Sequence, residues 1–419
     1  MLTTLRNAWK TPELRKKMLF TLMMLVILRL GNVVPVPFVD VSILRDYFNL
    51  NLSNTILGLY NAMSGSAFST ATIFALGIQP YINASIIIEL LCIAIPALER
   101  LQKEGGEEGR KKIQNITRYT TVGLGLLMGF AYYTMMKNQA AILTNTSFLA
   151  GLVIVLSFTA GASLVMWMGE QITEFGIGNG ISMVLFANII SRVPQLIQGL
   201  ITMPWWVIAI VVVGMLALIV FIVFVTDSER RIPVQYAKRV VGRKMYGGQS
   251  SHLPIKVNMS GVMPVIFAQS IASLPATICA FIGKTSGWWY NNVFDSTSVI
   301  YAVCYFILII AFSYFYAAVQ YNPVEIANNM KANGGFIPGF RPGRPTADFI
   351  AKVITKITLF GAIYLAIVAL LPIITGAIIG NTAFAIGGTS VIIVVGVALE
   401  TVNVLETQML MRHYKGFLD

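Results

Sequence analysis

Two histidines and three cysteines are the whole supply of imidazole and thiol groups in 419 residues. Cys92, Cys279 and Cys304 lie in apolar stretches without metal-ligand spacing, so they read as small packing residues. His252 and His413 sit in separate polar segments. No Walker sequence, zinc pattern or nucleophile–base arrangement accompanies them. An enzyme embedded in a membrane would need such a constellation, so the expectation is a protein without catalysis, cofactor or metal. The unusual chemistry is of another kind: polar groups in an apolar setting. Residues 75–88 read "ALGIQPYINASIII", with Gly77, Gln79, Pro80 and Asn83 between flanks fit for lipid. Amide side chains are tolerated in a membrane helix that faces water or protein instead of lipid.

The elements that position these residues are membrane helices. The chain is 56% hydrophobic and 11% charged. A hydrocarbon core about 30 Å thick is crossed by about 20 apolar residues. About ten such stretches occur, near 18–34, 73–95, 120–136, 148–168, 178–197, 205–225, 259–282, 298–319, 351–371 and 389–411. The first follows a basic leader but has no small-x-small cleavage site, so it is expected to be retained. Ten spans put both termini on one side, and the leader (Arg6, Lys10, Arg15, Lys16, Lys17) assigns that side to the cytoplasm. Of the 30 Lys and Arg, Arg45, Lys137, Arg192 and Lys284 then fall outside, Arg29 lies inside the first span, and the other 25 are cytoplasmic or beside it. This bias accounts for the net charge of +12 without nucleic acid. The basic loops face anionic lipid or a cytoplasmic partner.

Short patterns recur five spans apart. Gly-x-x-Pro-x-Ile occurs at Gly77, Pro80 and Ile82, and again at Gly261, Pro264 and Ile266. Gly180-Ile-Ser182 with Leu185 is matched by Gly388-Thr-Ser390 with Ile393. An odd offset reverses the direction of crossing, so the pairs suggest two inverted five-helix halves, 1–200 and 201–419. A rise of 1.5 Å per residue places Ile82, Ile266, Leu185, Ile189 and Ile393 near mid-membrane. They form either a central constriction or ordinary helix packing. Residues 54–70, "NTILGLYNAMSGSAFST", are too short to span. They suit a half-helix folded into a protein cavity, or an external amphipathic helix. Two long loops complete the picture. Residues 227–257 carry Arg230, Arg231, Lys238, Arg239, Arg243, Lys244 and Lys256. Residues 321–350 hold Arg341 and Arg344 in a Gly/Pro frame, which favours docking of a protein over simple lipid attraction.

The segments "RLGNVVPVP", "TIFALGIQPYINASIII", "EGGEEGRKKIQNITRY", "FGIGNGIS", "QYAKRVVGRKMYGGQSSHLPIKVNMSGVMP", "NPVEIANNMKANGGFIPGFRPGRPT" and "GGTSVIIVV" occur in this order. Together they resemble the SecY family, central subunits of bacterial protein-conducting channels, over essentially the whole chain. The resemblance implies an all-α polytopic membrane protein with ten transmembrane helices in two inverted halves around a central pore. It implies a pore ring of Ile78, Ile82, Leu185, Ile189, Ile266 and Ile393, where Leu185 departs mildly from the family's frequent isoleucine. It implies an external plug, to which Leu57, Gly58, Tyr60, Asn61, Met63, Ser64 and Gly65 belong. Arg239, Arg243, Lys244, Arg341 and Arg344 fall on partner-docking loops, with Arg341 on the family's critical arginine. The second and third spans would face the seventh and eighth across a lateral gate, where Asn83, Glu89 and Gln269 are assigned. Glu89 has further readings at the cytoplasmic funnel or against a structural partner, because a carboxylate at the bilayer centre costs roughly 2.5–3.5 kcal/mol on insertion scales.

By the same resemblance, the chain would pass unfolded secretory proteins across the bacterial plasma membrane and release membrane segments sideways into lipid. SecE-like and SecG-like subunits, a SecA motor ATPase, the translating ribosome, precursors with signal sequences and anionic lipid would be its partners. A nucleotide motif is missing, so energy would come from a partner or the proton gradient. The competing reading is a small-molecule secondary transporter with inverted repeats. Such a protein usually gathers polar ligands at mid-membrane, where this chain has aliphatic residues.

Overall fold

A computed structural model describes residues 2–52, 56–138, 142–201, 204–236, 239–241, 244–246, 250–259, 261–282, 293, 298–379 and 382–415. Lys238, Arg243 and Lys284 lie outside them, as does the start of the expected plug at Asn54 and Thr55. In chain order, the helices of the first half are α1 (Leu2–Lys10), α2 (Pro12–Gly31), α3 (Val41–Tyr47), α4 (Ile56–Met63), α5 (Gln79–Ala94), α6 (Pro96–Lys103), α7 (Gly106–Lys137), α8 (Phe148–Phe175), α9 (Gly180–Ile190) and α10 (Val193–Ile201). The second half holds α11 (Trp205–Asp227), strands β1 (Glu229–Tyr236), β2 (Arg239–Val241), β3 (Lys244–Tyr246) and β4 (Ser250–Lys256), α12 (Met263–Ile282), α13 (Val299–Gln320), α14 (Pro323–Ala332), β5 (Gly335–Phe336), α15 (Arg344–Ile379) and α16 (Thr382–Lys415).

Every apolar stretch contains helix, but the stretches differ in how well each would cross a membrane. Among the described residues five helical segments are long and apolar enough: Phe148–Phe175, Trp205–Asp227, Val299–Ala332, Arg344–Leu371 and Ser390–Leu410. A sixth is the pair Gln79–Ala94 and Pro96–Gln102, bent by 106° at its break. The count of ten is therefore not reproduced by length and composition alone. The shortfall has local causes. The first turns of α2 carry Arg15, Lys16 and Lys17, and the fifth stretch breaks into α9 and α10 at Ser191 and Arg192.

The opening stretch is also shorter as a helix than its apolarity suggests. Residues 64–78 are turns, and α5 begins at Gln79. Gly77 lies in the left-handed region at φ +55°, a conformation nearly free for glycine alone. Pro80 then occupies the first turn, where a missing N–H leaves no bond unmade. The matching pattern behaves alike: Gly261 has φ +62° and Pro264 is the second residue of α12. At the other end of α5, Ile95 is extended because it precedes Pro96, and the helix ends there.

The fold is all-α in class, and the polar loops add short strands to it. β1 pairs antiparallel with β4, from Glu229 opposite Lys256 to Gln235 opposite Ser250. It also pairs with β5, where Gln235 faces Phe336 and Tyr236 faces Gly335. Loops 227–257 and 321–350 thus share one three-stranded sheet, in the order β4-β1-β5. Alternation in "ERRIPVQY" buries Ile232 and Val234 and exposes the charges. Those two residues join Ile255, Met330, Ile337 and Ile350 in a small core of their own.

The main core runs through both halves. One cluster of buried residues takes members from α2, α5, α8, α9, α11, α12, α13, α15 and α16. α12 packs against α5 and α7, and α9 packs against α16. By contrast, α11 is buried at few positions, among them Ile222 and Val225, and presents most of its apolar side chains outward.

Candidate functional site

Four helices bring the six candidate ring residues together. Ile78 caps α5 and Ile82 follows one turn later, Leu185 and Ile189 lie on α9, Ile266 on α12 and Ile393 on α16. All six belong to one cluster, at 2%, 2%, 0%, 7%, 1% and 1% exposure respectively. An aliphatic lining of this kind disfavours water and ions, since it offers them no hydrogen-bond partner.

The expected plug segment lies inside the protein. Helix α4 touches α9 from the first half, and α12 and α16 from the second. Leu57, Tyr60, Asn61, Met63 and Ser64 are each at most 7% exposed, and Gly58 and Gly65 are buried too. Hydrogen bonds organise the turn after α4. Asn61 Oδ1 accepts from the Ser69 amide at 2.9 Å, and Ser64 Oγ accepts from the Phe68 amide at 3.1 Å. The Tyr132 hydroxyl of α7 donates to the Phe68 carbonyl, and the Phe68 and Tyr132 rings stack with centroids 4.3 Å apart. Downstream, Val36 donates to Ala71 at 2.9 Å and Ile73 donates to Val34 at 3.0 Å.

Polar residues bridge the two halves beside this cluster. Gln79 Nε2 donates to Ser270 Oγ on α12 at 3.2 Å. Gln269 is 2% exposed, and its Nε2 donates to the Met63 thioether at 3.4 Å. Asn83 is buried at 8%. Glu89 lines a cleft of about 370 Å³ with Tyr81, Ser85, Cys92, Arg110 and Gln114. The walls of this cleft come from α5 and α7, together with Gln102 of α6.

Sequence reasoning missed three polar contacts. Arg118 of α7 forms an ion pair with Glu170 of α8 at 2.8 Å, joined by Gln114 Nε2 at 3.2 Å. Asn32, at the end of α2, donates to Asn188 Oδ1 of α9 at 3.2 Å. The serine that receives Gln79 is the third. Each partner is remote in sequence, and the residue type alone gives no pairing.

The described basic residues expected to dock a partner lie in or close to the strands. Arg341 is exposed in a turn between Gly339 and Gly343, whose φ angles are +88° and +110°. Its carbonyl accepts from Thr346 Oγ1 at 2.8 Å, which fixes the turn to the start of α15. Arg344 begins α15 and is exposed. Arg239 and Lys244 lie on β2 and β3, which pair with each other.

Comparison with known proteins gives the family of the chain. The SecY family model matches residues 72–402. The chain belongs to the SecY family. The protein translocase subunit SecY of Streptomyces scabiei is 45% identical over 437 residues, covering all of both chains. A solved protein-conducting channel has the same fold, with a TM-score of 0.67 at 17% identity, covering 94% of this chain and 92% of its own. Sec61 in the canine ribosome–channel complex of the endoplasmic reticulum matches with a TM-score of 0.59 at 16% identity, over 94% and 92% of the two chains. As a SecY-family protein this chain is a multi-pass, pore-forming subunit for protein translocation. A small-molecule transporter finds no support in these relatives.

Proposed function

We propose that this chain forms the pore through which unfolded secretory proteins cross a bacterial plasma membrane, and that it releases membrane segments sideways between α5/α7 and α12/α13. The supporting observation is the meeting of six aliphatic residues from both halves in one buried cluster, with the α4 segment against it. In this reading Ile78, Ile82, Leu185, Ile189, Ile266 and Ile393 are the closed gasket. Residues 54–70 are the plug on its external side. Asn83 and Gln269 line the lateral exit, joined by Gln79 and Ser270. Glu89 belongs to the cytoplasmic approach to that exit. The sheet of β1, β4 and β5, with Arg341 and Arg344, receives a SecA-like motor or a ribosome, and SecE-like and SecG-like subunits and anionic lipid surround the helices. The two halves, 1–200 and 201–419, move against each other, and both termini are cytoplasmic.

Reconstitution tests this function. Vesicles holding the chain and its small membrane partners, given a motor ATPase and ATP, should take up an unfolded precursor only when it carries a signal sequence. Uptake that ignores the signal, or no uptake by the complete mixture, would refute the reading.

A further inference from the structure

The α4 segment is attached unequally to the two halves. Toward residues 1–200 its attachments include hydrogen bonds to amide and carbonyl oxygens, beside a weaker contact of the Tyr60 hydroxyl with the Met128 thioether at 3.8 Å. The Asn32 amide donates to the Ser64 carbonyl at 3.4 Å and to Asn188 Oδ1 at 3.2 Å. Tyr132 holds the Phe68 carbonyl, and the isolated bridge between Pro35 and Thr72 holds residues 71 and 73 through Val36 and Val34. Toward the second half, the segment presents apolar contact with α12 and α16 and the Met63 thioether to Gln269. A thioether is a weak acceptor, whereas amide and carbonyl oxygens are strong ones. Asn32 is 9% exposed and Asn188 is 1% exposed, so a group that loses its partner there stays unsatisfied until water enters.

The placement of Asn32 adds to this. It follows directly on Gly31, the last residue of α2, where a Cβ would stand 2.0 Å from the Phe74 ring. Helix α2 is thus clamped against the chain just beyond the turn. Gly65 gives the same result from the other side: it is left-handed at φ +68°, and a Cβ there would meet Arg29 Nη1 at 2.7 Å and Asn188 Oδ1 at 3.2 Å. Three segments converge on one spot: the end of α2, the turn after α4, and α9, which also carries Leu185 and Ile189.

We propose that Asn32 is a positioning residue for gating, whose side-chain amide latches the turn at Ser64 to Asn188 of the ring-bearing helix α9. The latch rests on the reading of residues 54–70 as a plug. It makes the plug travel with the first half when the halves separate: the Gln269–Met63 contact parts early, and the Asn32 contact parts last. Its strength sets how much help a signal sequence must supply to open the channel.

The test uses the full channel with its membrane partners, with both readouts normalised to the amount inserted. Export of a precursor with a defective signal and resting ion conductance are measured for Asn32→Leu, Asn188→Leu, the double variant and a deletion of residues 57–65. Each single change should raise both readouts about fivefold, the shift in a two-state balance given by one net hydrogen bond. The double variant should exceed neither single by much, because both act through one contact. The deletion should raise both at least as far. If the deletion raises both readouts and the leucine variants leave them at the normal level, the latch is wrong and the plug reading stands. If the deletion changes neither, the plug reading falls and takes the latch with it. Where Asn32→Leu depletes the folded channel, Asn188→Leu, which leaves the end of α2 intact, decides the question alone.

Discussion

Ile393 lets a single side chain test the proposed seal. It is 1% exposed in the cluster that joins both halves. Asparagine there would bury an amide without a dedicated partner, a cost of about 1–3 kcal/mol in proteins. Each 1.4 kcal/mol is about tenfold in an equilibrium. Ile393→Asn should therefore raise resting ion leak and the export of precursors with defective signals by roughly tenfold. Bilayer conductance and an export assay check this, with an apolar outward site such as Leu410 as control. Loss of folded protein with neither effect would mean that these residues only pack. Arg341 offers the opposite case, an exposed side chain in a rigid turn. Arg341→Glu should leave thermal stability within about 0.5 kcal/mol of the parent, as surface changes usually do. It should abolish motor-driven export, because a carboxylate repels the acceptors that a guanidinium engages. That the six candidate ring positions share one buried cluster accords with the repeated Gly/Pro pattern, which marks the depth of Ile82, Leu185, Ile189, Ile266 and Ile393, and with the family motifs, which add Ile78. Asn32 with Asn188 and Arg118 with Glu170 were not legible. Their partners lie 156 and 52 positions away, and no local pattern encodes such a distance.

Among the elements, those with a one-dimensional signal were readable. Apolar length announced the helices, and Gly77, Pro80 and Pro96 announced where α5 starts and stops. The shared sheet was hidden, because β1 is rich in charge and its partner β5 is about a hundred residues further on. Helix packing was hidden for a related reason: a glycine in an apolar run does not reveal what it touches. Gly180 shows what such a glycine does. A Cβ on it would stand 1.8 Å from the Gly169 carbonyl, so α8 and α9 approach backbone to backbone. Gly180→Ala should push α9 away and cost about 1–3 kcal/mol, the usual range for overpacking. Gly214 in α11 has open space around it, so Gly214→Ala should cost nothing and slightly favour the helix. Thermal unfolding of the two purified variants checks both, and equal behaviour would contradict the close approach of α8 and α9.

Across the whole molecule, the proposed path of translocating protein runs through the middle of the helix bundle, between the two halves. The candidate ring residues are buried between the two halves, whereas Leu127, Leu216 and Phe224 are 67%, 58% and 72% exposed on α7 and α11. The direct measurement places a photo-crosslinking residue, one position at a time, at Ile82, Ile266, Ile393, Leu127, Leu216 and Phe224. A precursor is then stalled halfway across in native membranes. All three candidate ring positions should capture the stalled chain, and the three outward positions should capture lipid or membrane partners. Capture of the precursor from Leu216 or Phe224, with none from the ring, would contradict a central pore.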